Sequence, residues 1–181
     1  MPEEIEIDVK DNMEVFEKET PWNKYLALTT AIIAVIAAVA SLLSGSYSNA
    51  SLLEKNNAVL LQSKASDQWN YYQAKGVKKN IADSFYTQFQ TQSFKAQSDK
   101  YLNEQVDIQK QAEEFQREAE AASGRSEGLL EKHHKTAYAV TFFQIAIAFA
   151  ALSALMKKRL FYYLSLVLAL LGLVFLTVGI I

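Results

Sequence analysis

Three groups of residues have types and spacings that could do chemistry. The densest is Asp67-Gln68-Trp69-Asn70-Tyr71-Tyr72-Gln73. Successive residues of a helix point about 100° apart, so Trp69 and Tyr72 share a face while Tyr71 points elsewhere. Trp and Tyr are favoured anchors of protein interfaces. With a downstream phenylalanine they form a candidate protein-contact patch of Asp67, Trp69, Tyr71, Tyr72 and Phe115. Three readings of it stand side by side: aromatic packing within the chain, contact between copies, and capture of a foreign partner. The second group is His133 and His134. Adjacent helix positions diverge, so the two cannot chelate one metal without ligands brought from elsewhere. They read as solvated histidines beside an apolar block, and a pH-sensing role has no further support. The third group, Glu113, Glu114, Glu118 and Glu120, lies beside Lys110 and Arg117. It reads as a solvated, salt-bridged helix face rather than a hydrolytic acid pair, because no pocket-forming residues surround it.

Other chemistry has no foothold. The chain has no cysteine, which excludes disulfides, thiolate metal sites and cysteine nucleophiles. It contains no phosphate-binding glycine loop, nucleophile elbow or metal-ligand spacing. No cofactor and no metal are expected, and the protein reads as non-enzymatic. A net charge of −2 in 181 residues gives no electrostatic footprint for a nucleic-acid partner.

The elements that carry these residues follow from where the apolar residues fall. They concentrate in three blocks, the pattern of a membrane protein rather than of a globular core. Tyr25 to Leu43 would rise roughly 28 Å as a helix, one hydrocarbon thickness. Thr20 and Pro21 are a start signal, an N-cap followed by proline at the first helical position. Thr136 to Met156 and Phe161 to Ile181 carry no charge. The expected organisation is an acidic N-terminal tail (1–20), a first transmembrane helix (21–44), a soluble helical hairpin (45–135), a second transmembrane helix (136–156), a basic turn (157–160) and a third transmembrane helix (161–181). Trp22, Tyr25, Lys157, Lys158 and Arg159 are the expected membrane anchors. Small residues recur four apart in two spans, at Ala34 and Ala38, Ala37 and Ser41, and Ala146, Ala150 and Ala154, a spacing that lets helix backbones approach closely in lipid. Gln144, the most polar side chain deep in a span, is expected to hydrogen-bond a neighbouring helix.

Proline is absent after Pro21 and glycine is sparse, so the polar region between spans favours long helices. From Tyr101 a heptad runs through Gln105, Ile108, Ala112, Phe115, Ala119, Ala122, Ser126, Leu129 and His133, a coiled-coil-like stripe. Ala58, Leu61, Ala65, Trp69 and Tyr72 form a matching stripe on the preceding arm, which Ile81, Phe85 and Phe89 continue with drift. The tip is expected near 90–98, with Thr91, Gln92 and Ser93 turn-like and Ser98 and Asp99 as N-caps. Gly76, Gly124 and Gly128 mark weak helix positions. The predicted fold is all-α: three transmembrane helices with a long antiparallel coiled-coil-like helical hairpin between the first and second, the first span and first arm possible as one helix.

Sidedness rests on the basic trio. Basic residues near short loops prefer the cytoplasm, so the turn at 157–159 places the N-terminus in the cytoplasm and the hairpin outside. Lys55, Lys132 and Lys135 oppose this in part.

The stretch Lys64-Ala65-Ser66-Asp67-Gln68-Trp69, followed by Tyr71-Tyr72-Gln73-Ala74-Lys75, resembles a bacterial membrane-protein family known as domain of unknown function 4337. The order of acidic tail, span, polar helical region and two closing spans is similar to that family, and Gly76 departs from it. The resemblance implies a multi-pass protein of a bacterial inner membrane and brings no activity. The absence of charged residues inside the spans argues against an ion-coupled transporter. The expected function is a scaffold or assembly protein that associates with itself through the hairpin and the small-residue span faces. The alternatives are an accessory subunit bound to another membrane protein, and an oligomeric pore, for which Thr29, Thr30, Ser41 and Ser44 give a weak polar stripe. Besides itself, its expected partner is the lipid bilayer.

Overall fold

A computed structural model describes residues 21–181. The acidic segment 1–20, with Thr20 as expected cap, lies outside the described residues. Three helices account for the described chain: α1 (Pro21–Phe89), α2 (Gln92–Met156) and α3 (Arg159–Ile180). α1 is a single helix of 69 residues and α2 one of 65. Their length follows from the lack of breakers, and α2 runs through Gly124 and Gly128 without interruption. Each of the three helices contains a stretch long and apolar enough to cross a membrane.

The connections are minimal. Only Gln90 and Thr91 separate α1 from α2. Gln90 has a φ of 53° and donates its N–H to the Tyr86 carbonyl at 2.8 Å, which ends α1 in a left-handed residue. Phe94 N–H then returns to the Thr91 carbonyl at 3.0 Å and starts α2. The second connection repeats the device. Lys157 has a φ of 51°, Lys158 is extended, and Ser153 Oγ donates to the Lys158 carbonyl at 3.0 Å. The basic turn is thus Lys157 and Lys158. Arg159 and Leu160, expected within it, already belong to α3, because one left-handed residue suffices to reverse the chain.

The described residues divide into two compact units. One comprises the described chain up to Gly45 together with Lys132–Ile181, the other Ser46–Glu131. In the first, Ile33, Ala37 and Ala40 of α1, Ala139, Phe143 and Ala146 of α2 and Ala169 of α3 form the core. Four of these are alanine from two facing helices, so the backbones sit close. Phe143 fills the gap against α3, where a Cβ on Gly172 would lie 2.8 Å from its ring. That approach is open only to glycine. Tyr138 and Phe142 pack on Phe175, and Phe149 stacks on Phe161.

In the second unit α1 and α2 pack antiparallel. Its buried apolar residues are Ala58, Leu61, Ala65 and Ala82 of α1 and Ile108, Ala112, Ala119 and Ala122 of α2; Phe115 packs against Ala58, Leu61, Ala119 and Ala122. The α2 stripe from Tyr101 to Leu129 is buried or half-buried throughout. On α1, Ala58, Leu61 and Ala65 are buried and Trp69 and Tyr72 half-buried, but the stripe does not pass on to Ile81, Phe85 and Phe89. Those three are 50%, 43% and 57% exposed. The buried face runs instead through Lys75, Gly76, Lys79, Ala82, Asp83 and Tyr86, one helical step around.

Candidate functional site

The candidate contact patch is divided by the structure. Trp69 and Tyr72 meet edge-to-face, 5.6 Å between centroids, and are half-buried. Phe115 belongs to the small apolar core, with the Lys64 ammonium 5.6 Å from its ring centroid. Asp67 is exposed. Tyr71 is 49% exposed and joins a different cluster.

That cluster centres on Lys75, which sequence reasoning passed over. Its ammonium lies 5.1 Å from the Tyr71 ring centroid, 5.4 Å from that of Tyr101 and 2.5 Å from Glu104 Oε2. The Lys75 side chain is only 13% exposed. Its hydrogen bonds to Glu104 and Tyr71 hold the ammonium pKa above its ordinary value, and Lys75 holds the Glu104 carboxyl below its own. One residue on, Gln105 Nε2 donates to the Tyr72 carbonyl at 3.1 Å. A Cβ on Gly76 would stand 2.9 Å from that nitrogen. Gly76, expected to loosen the helix, opens the notch through which Gln105 reaches α1.

Nearer the tip, Ser98 Oγ donates to Asp83 Oδ1 at 2.5 Å, and Lys79 pairs with Asp83 Oδ2 at 2.7 Å. The two contacts lower the Asp83 pKa, the lysine first. Ser98, expected as an N-cap, is buried and bonds across the hairpin, because α2 is already under way at Gln92. At the other end of this unit, Ser51 Oγ donates to the Ser126 carbonyl and Ser126 Oγ to the Ser51 carbonyl, both at 2.9 Å. Arg125 reaches Glu54 beside them at 2.9 Å. Serine at Ser126 fitted the heptad; its mate Ser51 lies ahead of the α1 stripe that begins at Ala58 and carried no signal.

The acidic group forms no joint site. Glu113 accepts from Gln109 at 2.8 Å and Glu120 from Gln116 at 3.5 Å, one turn away, rather than from Lys110 and Arg117. His133 donates from Nδ1 to the Ser44 carbonyl at 2.9 Å, an acceptor-only group that fixes the tautomer. Among the described residues no cluster of three or more His, Asp or Glu could hold a metal.

The expected anchors gather in the first unit. Arg159 lies 5.1 Å from the Trp22 ring centroid, and Trp22 meets Tyr162 edge-on at 5.0 Å. Tyr25 is 65% exposed. Gln144, expected to bond a neighbouring helix, is exposed on α2, and no hydrogen bond reaches it among the described residues.

The second unit also presents an exposed apolar face. On α1, Leu52, Leu53, Val59, Leu60, Val77, Ile81, Phe85 and Phe89 are all exposed. Val77, Asn80, Ile81, Ser84 and Phe85 line a shallow open groove of about 420 Å³. The corresponding stretch of α2 is charged: twelve acidic or basic side chains are exposed from Gln92 to Glu131, against four on α1 from Ser46 to Phe89.

No curated protein and no solved structure matches the chain. The family of domain of unknown function DUF4337 matches residues 22–181. With that match covering nearly its whole length, the chain belongs to the DUF4337 family.

Proposed function

We propose that the protein is a multi-pass membrane scaffold that associates with itself through its helical hairpin. The observation that carries this is the uncharged, apolar face of α1 in the Ser46–Glu131 unit. The hairpin buries its α2 stripe internally, so that stripe is not available between copies. Large apolar side chains remain on α1, and exposed patches of this kind in water mark interaction surfaces.

The three apolar stretches support insertion into a membrane. In that reading Trp22, Tyr25, Lys157, Lys158 and Arg159 sit at one interface, the N-terminus is cytoplasmic, the hairpin is external, and the membrane is the inner membrane of a bacterium. The pore reading loses support because Thr29 and Thr30 donate to carbonyls of their own helix and Ser44 lies against His133.

Co-isolation tests the proposal. Two differently tagged copies expressed together in the native membrane are expected to purify as one complex. Separate purification of each would overturn self-association. Sidedness is read from Thr91→Cys, a lone thiol in the exposed turn. An impermeant reagent labels it in intact cells if the hairpin is external, and only after lysis if it is not.

A further inference from the structure

The face described above has a periodicity that names its occupant. Leu52, Asn56, Val59, Ser63, Ser66, Asn70, Gln73 and Val77 follow alternating steps of four and three residues, and every one is exposed. Ile81, Ser84 and Gln88 carry the face on to the tip, also exposed. A four–three alternation traces one face of a helix, the geometry of a seam between packed helices, and Leu52, Val59 and Val77 are the apolar members of this one. This is a second seam, on the side of α1 away from α2, and none of its positions is charged. Lys55 and Lys64 lean toward α2, where they meet Ser123 and Phe115. Only Asp67 and Lys78 flank the seam among exposed charges.

We propose that this face of α1 packs against the same face of a second copy, parallel and in register, with Asn56 and Asn70 each meeting its own counterpart. The proposal rests on the self-association reading and specifies its surface and geometry.

Three observations select a second copy. The first is extent: exposed apolar side chains recur on α1 from Leu52 to Phe89, along most of its length in this unit. The second is charge. The occupant must be a long helix with an uncharged face, and the exposed back of α2 fails that requirement while α1 meets it. The third is register. Asn56 and Asn70 lie two heptads apart and so share one seam position. A seam asparagine is satisfied by another asparagine and left unpaired by an aliphatic residue. A parallel shift of one heptad would set Asn70 against Val77. An antiparallel pairing could join Asn56 to Asn70, but it would leave Ile81, Phe85 and Phe89 uncovered. Only the parallel, in-register pairing covers both apolar ends and pairs both amides.

The test uses the full chain in its native membrane, where the absence of cysteine makes single thiols unambiguous. Asn56→Cys and Asn70→Cys are oxidised mildly, beside Lys110→Cys and Arg117→Cys on the back of α2. The expected result is a covalent dimer at each seam position, at least tenfold more abundant than at either α2 position. Adding Val59→Lys and Val77→Lys, both at exposed sites that leave the hairpin core intact, is expected to lower the Asn70→Cys dimer at least tenfold with helix content unchanged. Copies that co-isolate but cross-link only through α2 would overturn this interface and leave self-association standing. Thiols at Asn56 and Asn70 that join a foreign protein, in a chain whose tagged copies never co-isolate, would overturn both. Asn56→Cys joined to Asn70→Cys in mixed samples, with neither joined to itself, would overturn the parallel arrangement alone and with it the proposal.

Discussion

The two units hold their helices together by different means. The unit that contains α3 is built on alanine against alanine, with Phe143 set over Gly172. The Ser46–Glu131 unit also buries small apolar residues, six alanines with Leu61 and Ile108, and adds a succession of polar contacts: Ser51 with Ser126, Gln105 with Tyr72, Lys75 with Glu104, Ser98 with Asp83. Apolar side chains gain nothing by leaving lipid for one another, so helices there associate through close shape and small residues. In water, burial is the main driving force, and the second unit buries mostly alanine. Many of its large apolar side chains stay exposed, on α1 from Leu52 to Phe89 and on α2 at Leu102, Val106 and Leu130.

The contrast can be broken most severely at Phe143. Phe143→Ala would open a cavity against Gly172 and cost about 3–5 kcal/mol; Gly172→Val should disrupt the same contact by crowding. Both are read as loss of resistance to unfolding in denaturing detergent, and an unchanged unfolding midpoint would mean the alanine contacts suffice without the ring. The serine pair comes next. Ser51→Ala removes the donor to the Ser126 carbonyl while Ser126 Oγ keeps its bond to the Ser51 carbonyl, so it is expected to cost about 1 kcal/mol, and Ser51→Ala with Ser126→Ala should cost less than the sum of the two singles because the hydroxyls also touch each other at 3.1 Å. Chemical denaturation of the hairpin distinguishes these, and additive single effects would show that the two hydroxyls act independently. Gly76→Ala displaces Gln105 from the Tyr72 carbonyl, for about 1 kcal/mol, and Gln105→Ala should then remove most of the added effect.

The smallest expected effect is that of pH. Glu104 and Asp83 have pKa values lowered by Lys75 and by Lys79 with Ser98. A depressed carboxyl contributes stability above its unfolded value of about 4 and loses it as pH falls through the folded value. Lys75 and Lys95 are raised, so their contribution is full below about pH 10 and is lost above it. The hairpin should therefore open to protease more readily below pH 4 than at neutrality, and Glu104→Gln should flatten that dependence. Protease resistance indifferent to pH would place the hairpin's stability elsewhere.

Much of the architecture is legible from the residues alone. The apolar blocks mark the candidate spans, and α2's seam is written in alanine, isoleucine and phenylalanine at heptad spacing. The mating face of α1 is not, because beyond Tyr72 it is made of Lys75, Gly76, Lys79 and Asp83. Those residues look solvated in a sequence, and their apolar stems and hydrogen bonds appear only once α2 is alongside. Of Ile81, Phe85 and Phe89, Phe85 does meet α2, at Phe94 with 5.4 Å between ring centroids, but all three stay largely exposed: apolar spacing shows that a face seeks cover, not which helix covers it. The same holds for Trp69 and Tyr72, a cluster in sequence that the fold keeps together, and for Asp67 and Phe115, which it separates.

The mass and composition of the complex extracted gently from its native membrane test the central claim most directly. The account predicts a particle containing only multiples of the 20.3 kDa chain. A particle with stoichiometric foreign subunits, or a lone 20.3 kDa chain, would contradict it.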